Sequence, residues 1–351
     1  MDYALGCLLG VAVGDAAGAT LERDAAAAPV KEAEAREAMA MPGSVWPRLG
    51  QGQTTDDTEL TICLARGLLG HLPSSGFPAE SVARQYSYWH EAGAFGGGMT
   101  CQTAFSAPLE PDRFKWPKAG QEGEQREAPP LWLRMQMRAA RYSSESQANG
   151  ALMRVAPLAV WGHRLPPAEL AEHAAADARL SHPNQACCDA SAAYCIAVAH
   201  LIASPGDAAG ALQAACAWAE EQACEEVQQW VLRDSAQPLD TIACHGPTAG
   251  WARWSLTLAF HHLRRAIPFE DSIRLTLCRG GDTDTNAAIV GGMTGALHGA
   301  AAIPGYMLSP VLEYAGREEQ GGGVPRPPDL RAAVLPDLAE QLYQLATAEG
   351  G

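Results

Sequence analysis

The sequence predicts an all-α protein, on three observations. No stretch sustains the alternation of Val, Ile, Thr or Tyr with polar residues that a strand requires. Ala- and Leu-rich runs with apolar residues three and four apart recur along the chain. Hydrophobic residues make up 47% of the sequence but aromatics only 7%, so the helices are small-faced and pack closely. At 351 residues the chain is long enough for a sizeable core. With no evident repeat, the simplest organisation is one domain over 1–351.

The elements follow in order. Residues 4–19 carry Gly6, Gly10, Gly14 and Gly18 on one helical face, which lets another helix approach closely. Residues 24–52 mix an Ala/Glu helix with a Pro/Gly loop. A helix over 57–69 has Ile62, Leu64, Ala65, Leu68 and Leu69 as its apolar stripe, and Asp56 with Glu59 fits a capping pattern. Helices follow at 79–92 and from 100, before a Pro/Gly/Glu/Lys-rich surface loop or insertion at 107–130. Helix resumes over 131–140, and a polar link at 143–147 leads to Asn149-Gly150-Ala151-Leu152-Met153-Arg154. Helical runs then occupy 152–162, 167–179, 184–204, 207–222, 223–234, 250–265, 269–278 and 285–300. Residues 316–328 form a loop, and the last helix lies within 328–348. The apolar stretch 286–303 reads as a buried core helix rather than a membrane span, because it carries glycines and His298 and follows two aspartates.

A formal net charge of −15 argues against nucleic-acid binding, which rests on clustered Lys and Arg. An anionic ligand would have to be held by helix N-termini, backbone amides or metal. The ten cysteines form no Cys-x-x-Cys pair, and Cys63, Cys187, Cys195 and Cys278 sit in apolar runs. The expectation is a reduced, cytoplasmic protein without a zinc site. The N-terminus lacks the basic start of a signal peptide. No membrane association is expected, and a monomer is the favoured state.

Two acid-and-hydroxyl clusters carry the chemistry. Thr54-Thr55-Asp56-Asp57-Thr58 and Gly281-Asp282-Thr283-Asp284-Thr285 each precede an apolar run. In the second, alternating acids on an extended loop would point to one side, with Thr285 beginning the helix. All donors are hard oxygens, suited to Mg²⁺, Mn²⁺ or Ca²⁺. Four carboxylates brought together repel, and two divalent ions would neutralise them. Read alone, the first cluster is explained as well by helix capping.

Four motifs occur in order: Gly10-x3-Gly14-Asp15-Ala16-x-Gly18-x3-Glu22, Gly52-Gln53-Thr54-Thr55-Asp56-Asp57-Thr58-Glu59, Asn149-Gly150-Ala151-x-Met153-Arg154 and Gly280-Gly281-Asp282-Thr283-Asp284-Thr285. Together they resemble the ADP-ribosylglycohydrolases, from about residue 4 to 305. The resemblance implies a compact orthogonal bundle of helices with a dinuclear Mg²⁺ or Mn²⁺ centre at the bottom of a cleft. Its ligands would be Thr55, Asp56, Asp57, Asp282, Asp284 and Thr285. Glu22, Asp56 and Asp57 are the candidate catalytic carboxylates; Glu22 alone also reads as a solvated helix-end acid. Asp15 would organise the helix end. Gly98, Thr100, Asn149, Gly150, Met153, His182 and Trp251 match segments that bind the substrate, although His182 and Trp251 also read as structural. Arg154 is as consistent with a structural ion pair as with a phosphate contact.

The sequence departs from the family at two places. Gly96 stands where some relatives carry an Asp two residues before the glycine of the Gly-x-Thr loop. Trp251-Ala252-Arg253-Trp254-Ser255 replaces a segment that often reads aromatic-x-x-Asp-Thr. The expected activity is removal of ADP-ribose from a modified protein, with arginine the favoured linkage. It would reverse a regulatory modification or neutralise an ADP-ribosylating toxin as an immunity protein. The alternatives are hydrolysis of an O-linked ADP-ribose, on serine or a small molecule, and a non-enzymatic ADP-ribose-binding or structural role.

Overall fold

The computed structural model describes residues 1–22, 28–44, 48–107, 129–316 and 322–348. Among these lie sixteen α-helices and no strand. The first half holds α1 (Asp2–Ala19), α2 (Glu32–Ala38), α3 (Asp56–Leu68), α4 (Ala79–Glu91), α5 (Met99–Phe105), α6 (Leu131–Tyr142), α7 (Ala156–Trp161) and α8 (Pro167–Ala178). The second holds α9 (Gln185–Ala203), α10 (Ala208–Gln222), α11 (Glu225–Gln228), α12 (Ala252–Arg264), α13 (Phe269–Cys278), α14 (Thr283–His298), α15 (Gly305–Glu313) and α16 (Leu335–Ala348).

The glycine face of α1 explains the centre of the fold. It packs against α14 in antiparallel sense, with Gly6, Gly10, Gly14 and Gly18 meeting Gly295, Gly291, Ala287 and Thr283 in turn. The contact is backbone on backbone. A Cβ added to Gly10 would lie 2.1 Å from the Gly291 carbonyl oxygen, and one added to Gly14 would lie 2.0 Å from that of Ala287. Both helices are apolar nearly all round, and both are buried along almost their whole length, as helices without a polar face must be. The antiparallel sense brings the C-terminal end of α1 against the first turn of α14. There the Thr283 hydroxyl donates to the Gly18 carbonyl at 2.9 Å. The packing stripe thus brings Glu22 to the second acidic cluster, while Asp15, further back along α1, reaches the first.

Other helices enclose this pair: α12 and α13 pack on α14, α16 and α7 on α1, and α3 on α4. One buried apolar cluster runs through them from Ala4 to Leu342. Helix α9 is long and apolar enough to cross a bilayer, yet 89% of that stretch is buried within the protein.

Several expectations are corrected. The Asp56/Glu59 capping pattern does not form: Thr55 is the residue before α3, and Glu59 instead accepts from Trp89 Nε1 and, twice, from Arg326. A buried carboxylate takes the charged donor over a backbone N–H. The second acidic cluster is not an extended loop, because α14 starts at Thr283 and holds Asp284 and Thr285 in its first turn. The run expected over 152–162 starts as a helix only at Ala156, with Pro157 in its first turn, since proline lacks the N–H an interior position needs. The helix expected over 223–234 is the short α11 followed by a π-turn at Gln229–Arg233. The insertion expected at 107–130 falls at 108–128 outside the described residues.

Replacing Gly10 with valine should destabilise the protein by about 3 kcal/mol, the cost of overpacking a closed contact. Gly305→Ala, where a new Cβ meets nothing within 4 Å, should change stability by less than about 1 kcal/mol. Urea unfolding of the two variants checks the contrast.

Candidate metal and active site

The site begins with a buried carboxylate. Asp15 lies on α1 with no solvent exposure and accepts four donors from the start of α3. These are Thr55 N (2.9 Å), Thr55 Oγ1 (2.8 Å), Thr58 N (3.1 Å) and Thr58 Oγ1 (2.6 Å). Helix α3 makes no side-chain cap of its own; Asp15 caps it from another helix. Burial pushes the Asp15 carboxyl up, and the bonds from Thr58 and Thr55 pull it back.

This cap fixes Thr55, Asp56 and Asp57 against α14, and the two acidic clusters meet at Asp57. Its Oδ2 accepts from Thr55 Oγ1 at 3.3 Å and from Thr285 Oγ1 at 3.5 Å. Its Oδ1 is buried with no hydrogen-bond partner. Asp284 Oδ1 accepts from the Thr285 amide at 2.8 Å, and Asp282 Oδ2 from Asn149 Nδ2 at 2.7 Å. Glu22, Asp282 and Asp284 each offer a carboxylate oxygen, all within 4.8 Å of one another. Glu22 is exposed, Asp282 half-buried and Asp284 buried, so the group spans from solvent to core.

The electrostatics are those of an uncompensated acidic centre. Burial, then repulsion from Asp15, pushes Asp56 and Asp57 well above the usual carboxylate range. Burial, then Glu22 and Asp282, does the same to Asp284. Crowding by protein, then the charges of Asp282 and Asp15, pushes Glu22 up to about 7. No Lys or Arg pairs with any of these acids among the described residues. The buried, unbonded Asp57 Oδ1 and an all-oxygen donor set fit a hard divalent cation such as Mg²⁺, Mn²⁺ or Ca²⁺ better than zinc. Thr55, Asp56, Asp57, Asp282, Asp284 and Thr285 are the residues available to hold it.

The Asn149 segment forms the adjoining wall. Asn149 N donates to the Gly250 carbonyl, and Ala252 N to that of Gln147, in a bridge pairing Ala148 with Trp251. Asn149 Nδ2 also lies 3.4 Å from Ser255 Oγ, which donates to Asn286 Oδ1 at 2.7 Å. Ser255 and Asn286 thus position Asn149 on Asp282. Sequence reasoning had assigned neither; the one signal was a lone Asn inside the apolar run of α14.

Arg154 is a structural residue. It is wholly buried, bonds Asp177 Oδ2 at 3.1 Å, the Gly150 carbonyl at 2.8 Å and Ser181 Oγ at 2.9 Å, and stacks on Tyr86 and Phe105. It therefore holds the loop from beneath. His182 is also wholly buried, with Nδ1 at 2.8 Å from Ser181 Oγ. Burial, aided by Arg154, lowers its imidazole to about 3. Its ring packs under Gly150, where an added Cβ would lie 3.0 Å from Cε1. Gly150 and Met153 are buried, Gly98 is exposed and Thr100 half-buried. Thr100 Oγ1 lies 3.3 Å from Ser146 Oγ, and Trp251 is 41% exposed beside the Asn149 wall.

Residues 1–350 match the ADP-ribosylglycohydrolase family. The chain belongs to that family. It is 29% identical over 323 residues to the ADP-ribosyl-[dinitrogen reductase] glycohydrolase of Rhodospirillum rubrum, covering 90% of this chain and 92% of that one. It is 25% identical over 314 residues to the ADP-ribosylarginine hydrolase Tri1 of Pseudomonas putida (strain GB-1), covering 87% and 72%. Among solved structures, an ADP-ribosylglycohydrolase-related protein complex superposes with a TM-score of 0.66 at 25% identity, over 98% of both chains.

In this member of the family, Gly96 sits tightly against the acidic centre. The residue has φ +78°, and a Cβ there would lie 2.6 Å from Asp56 Oδ1. An aspartate at this position would need the loop to move, and would add another carboxylate to the acidic centre. The loop is held down by Arg326, which donates to the Ala92 carbonyl at 2.7 Å while paired with Glu59.

Asp15→Ala strands four donors and should cost about 3 kcal/mol of stability in urea unfolding, although it removes a negative charge from the site. In a thermal-shift assay, millimolar Mg²⁺ or Mn²⁺ should raise the melting temperature of the chelator-treated wild type. It should leave an Asp282→Ala/Asp284→Ala variant unchanged.

Proposed function

We propose that this protein is a divalent-metal-dependent hydrolase that releases ADP-ribose from ADP-ribosylated arginine on a protein. The observation that carries the reading is the meeting of the two acidic clusters at Asp57, with a buried oxygen left unbonded. The names of two relatives, one an ADP-ribosylarginine hydrolase, support the linkage.

Two Mg²⁺ or Mn²⁺ ions held by Thr55, Asp56, Asp57, Asp282, Asp284 and Thr285 would offset the carboxylate charge and supply Lewis-acid chemistry. The chain's own residues do the rest. The C–N bond from ribose to guanidine breaks, water adds its oxygen to the sugar carbon, and its proton goes to the leaving nitrogen. Positive charge develops on the sugar as the bond breaks, and the acidic centre stabilises it. Glu22, exposed to solvent with its carboxyl raised to about 7, is suited to take and return a proton near neutral pH; Asp56 and Asp57 are the other candidates. Asn149 orients Asp282, and exposed backbone around Gly98 offers amides to the diphosphate.

Gly96 favours a second reading, hydrolysis of an O-linked ADP-ribose. No carboxylate stands there to hold an arginine leaving group, and Asp56 blocks the place for one. The ten free thiols support action in a reducing compartment such as the cytoplasm.

Incubation with Mg²⁺ or Mn²⁺ and arginine-linked or serine-linked ADP-ribosylated protein separates the readings. Arginine-linked substrate should release ADP-ribose and serine-linked should not; the reverse result selects the second reading. Asp282→Ala/Asp284→Ala should lower the rate at least about a thousandfold, and full activity in that variant would sink the site. Glu22→Gln should lower kcat about a hundredfold.

A further inference from the structure

The chain carries 40 acidic and 25 basic residues, but α6 reads Leu131-Trp132-Leu133-Arg134-Met135-Gln136-Met137-Arg138-Ala139-Ala140-Arg141-Tyr142, with no acid. Its outer face is basic and apolar together. Arg141 is exposed, Tyr142 is 57% exposed and Met137 47%. The guanidinium carbons of Arg138 and Arg141 lie 5.9 and 5.2 Å from the Tyr142 ring centre. Arg138 otherwise donates to the Thr103 carbonyl and Ser106 Oγ. Among the described residues neither arginine forms an ion pair, whereas seven others do, from Arg36 to Arg326.

This face adjoins the candidate site. Tyr142 leads into the 143–148 link, which touches Thr100 through Ser146 and pairs with Trp251 through Ala148. Met99, beside Thr100, is 86% exposed. Met99, Met137, Tyr142 and Trp251 are four of the seven exposed large apolar side chains among the described residues. All four flank or lead into this one link. Met, aromatic and Arg side chains are the types that concentrate at protein interfaces, and apolar surface gathered in one place marks a contact site.

We propose that the α6 face and the 143–148 link dock the protein that bears the ADP-ribose, and that the docked surface is acidic. The inference rests on the proposed function and adds its substrate class: a protein with carboxylates flanking the modified residue. In a chain of net charge −15, the acid-free α6 offers such a partner the unpaired Arg138 and Arg141, against one exposed acid, Glu145, in the link. The patch therefore orients the partner with its modified side chain toward the acidic centre.

The test uses the full-length protein and three probes: free ADP-ribosyl-arginine, and two peptides carrying the same ADP-ribosyl-arginine flanked by glutamates or by lysines. Wild type should cleave the glutamate-flanked peptide with at least a tenfold higher kcat/KM than the lysine-flanked one, and 0.5 M NaCl should erase the difference. Arg141→Glu, and separately Tyr142→Ala, should raise KM for the glutamate-flanked peptide about tenfold. Both should leave kcat and the free compound's hydrolysis unchanged. A preference for the lysine-flanked peptide, or equal loss on the free compound, overturns the proposal. So does sedimentation showing the face buried in a dimer that Arg141→Glu dissociates. Calorimetric binding of the peptides keeps the two claims apart. Arg141-dependent, salt-sensitive binding without hydrolysis would overturn the proposed function alone. Hydrolysis with Arg141-independent binding would overturn the docking face alone.

Discussion

The Asp15 carboxylate, buried and bonded to Thr55 and Thr58, is the contact on which the site depends. It ties the start of α3 to the end of α1, whose glycine stripe is in turn locked to α14. The first acidic cluster cannot reach the second without this chain of contacts. An anion at the N-terminus of a helix is favourable in itself. Here the anion belongs to a different helix, so capping becomes a tertiary joint. That joint satisfies the Thr55 and Thr58 amides from outside and leaves Asp57 Oδ1 unbonded.

The arrangement stores repulsion. Asp56, Asp57 and Asp284 are buried near one another, and no Lys or Arg relieves them among the described residues. Ordinary folding would remove such a feature, since an unpaired buried charge costs several kcal/mol. It persists where ligand binding returns the cost. Compare Arg154 with Asp177, and Glu59 with Arg326, each a closed pair. The same protein that satisfies these pairs leaves Asp57 Oδ1 unbonded. The contrast between satisfied and unsatisfied buried acids identifies the site more sharply than acidity alone.

Much of this was legible in the sequence, and the rest was hidden for identifiable reasons. Helical periodicity and the absence of strand alternation indicated the class, and the Gly6–Gly18 stripe announced a close helix contact. It did not name its partner, because a stripe of small residues is complementary to any other. The acidic motifs marked their own residues, yet α14 begins two residues before the Thr285 start expected of it. An Asp-x-Asp pair reads alike on a loop or in a first helical turn. The Asp56–Glu59 pattern misled because Arg326, 267 residues away, competes for Glu59. Ser255 and Asn286 carried too little local signal to be singled out. Arg154 was ambiguous until its buried partners were seen. Long-range partners decide such cases, and local pattern does not contain them.

The central claim is that α1 joins the two clusters into one metal centre. Anomalous scattering from crystals grown with Mn²⁺ tests it most directly. The account predicts density within about 2.4 Å of Asp57 Oδ1 and of a carboxylate oxygen of Asp284. Absence of any peak at saturating Mn²⁺, or a peak held by Glu22 and solvent alone with Asp57 Oδ1 still unbonded, would contradict it.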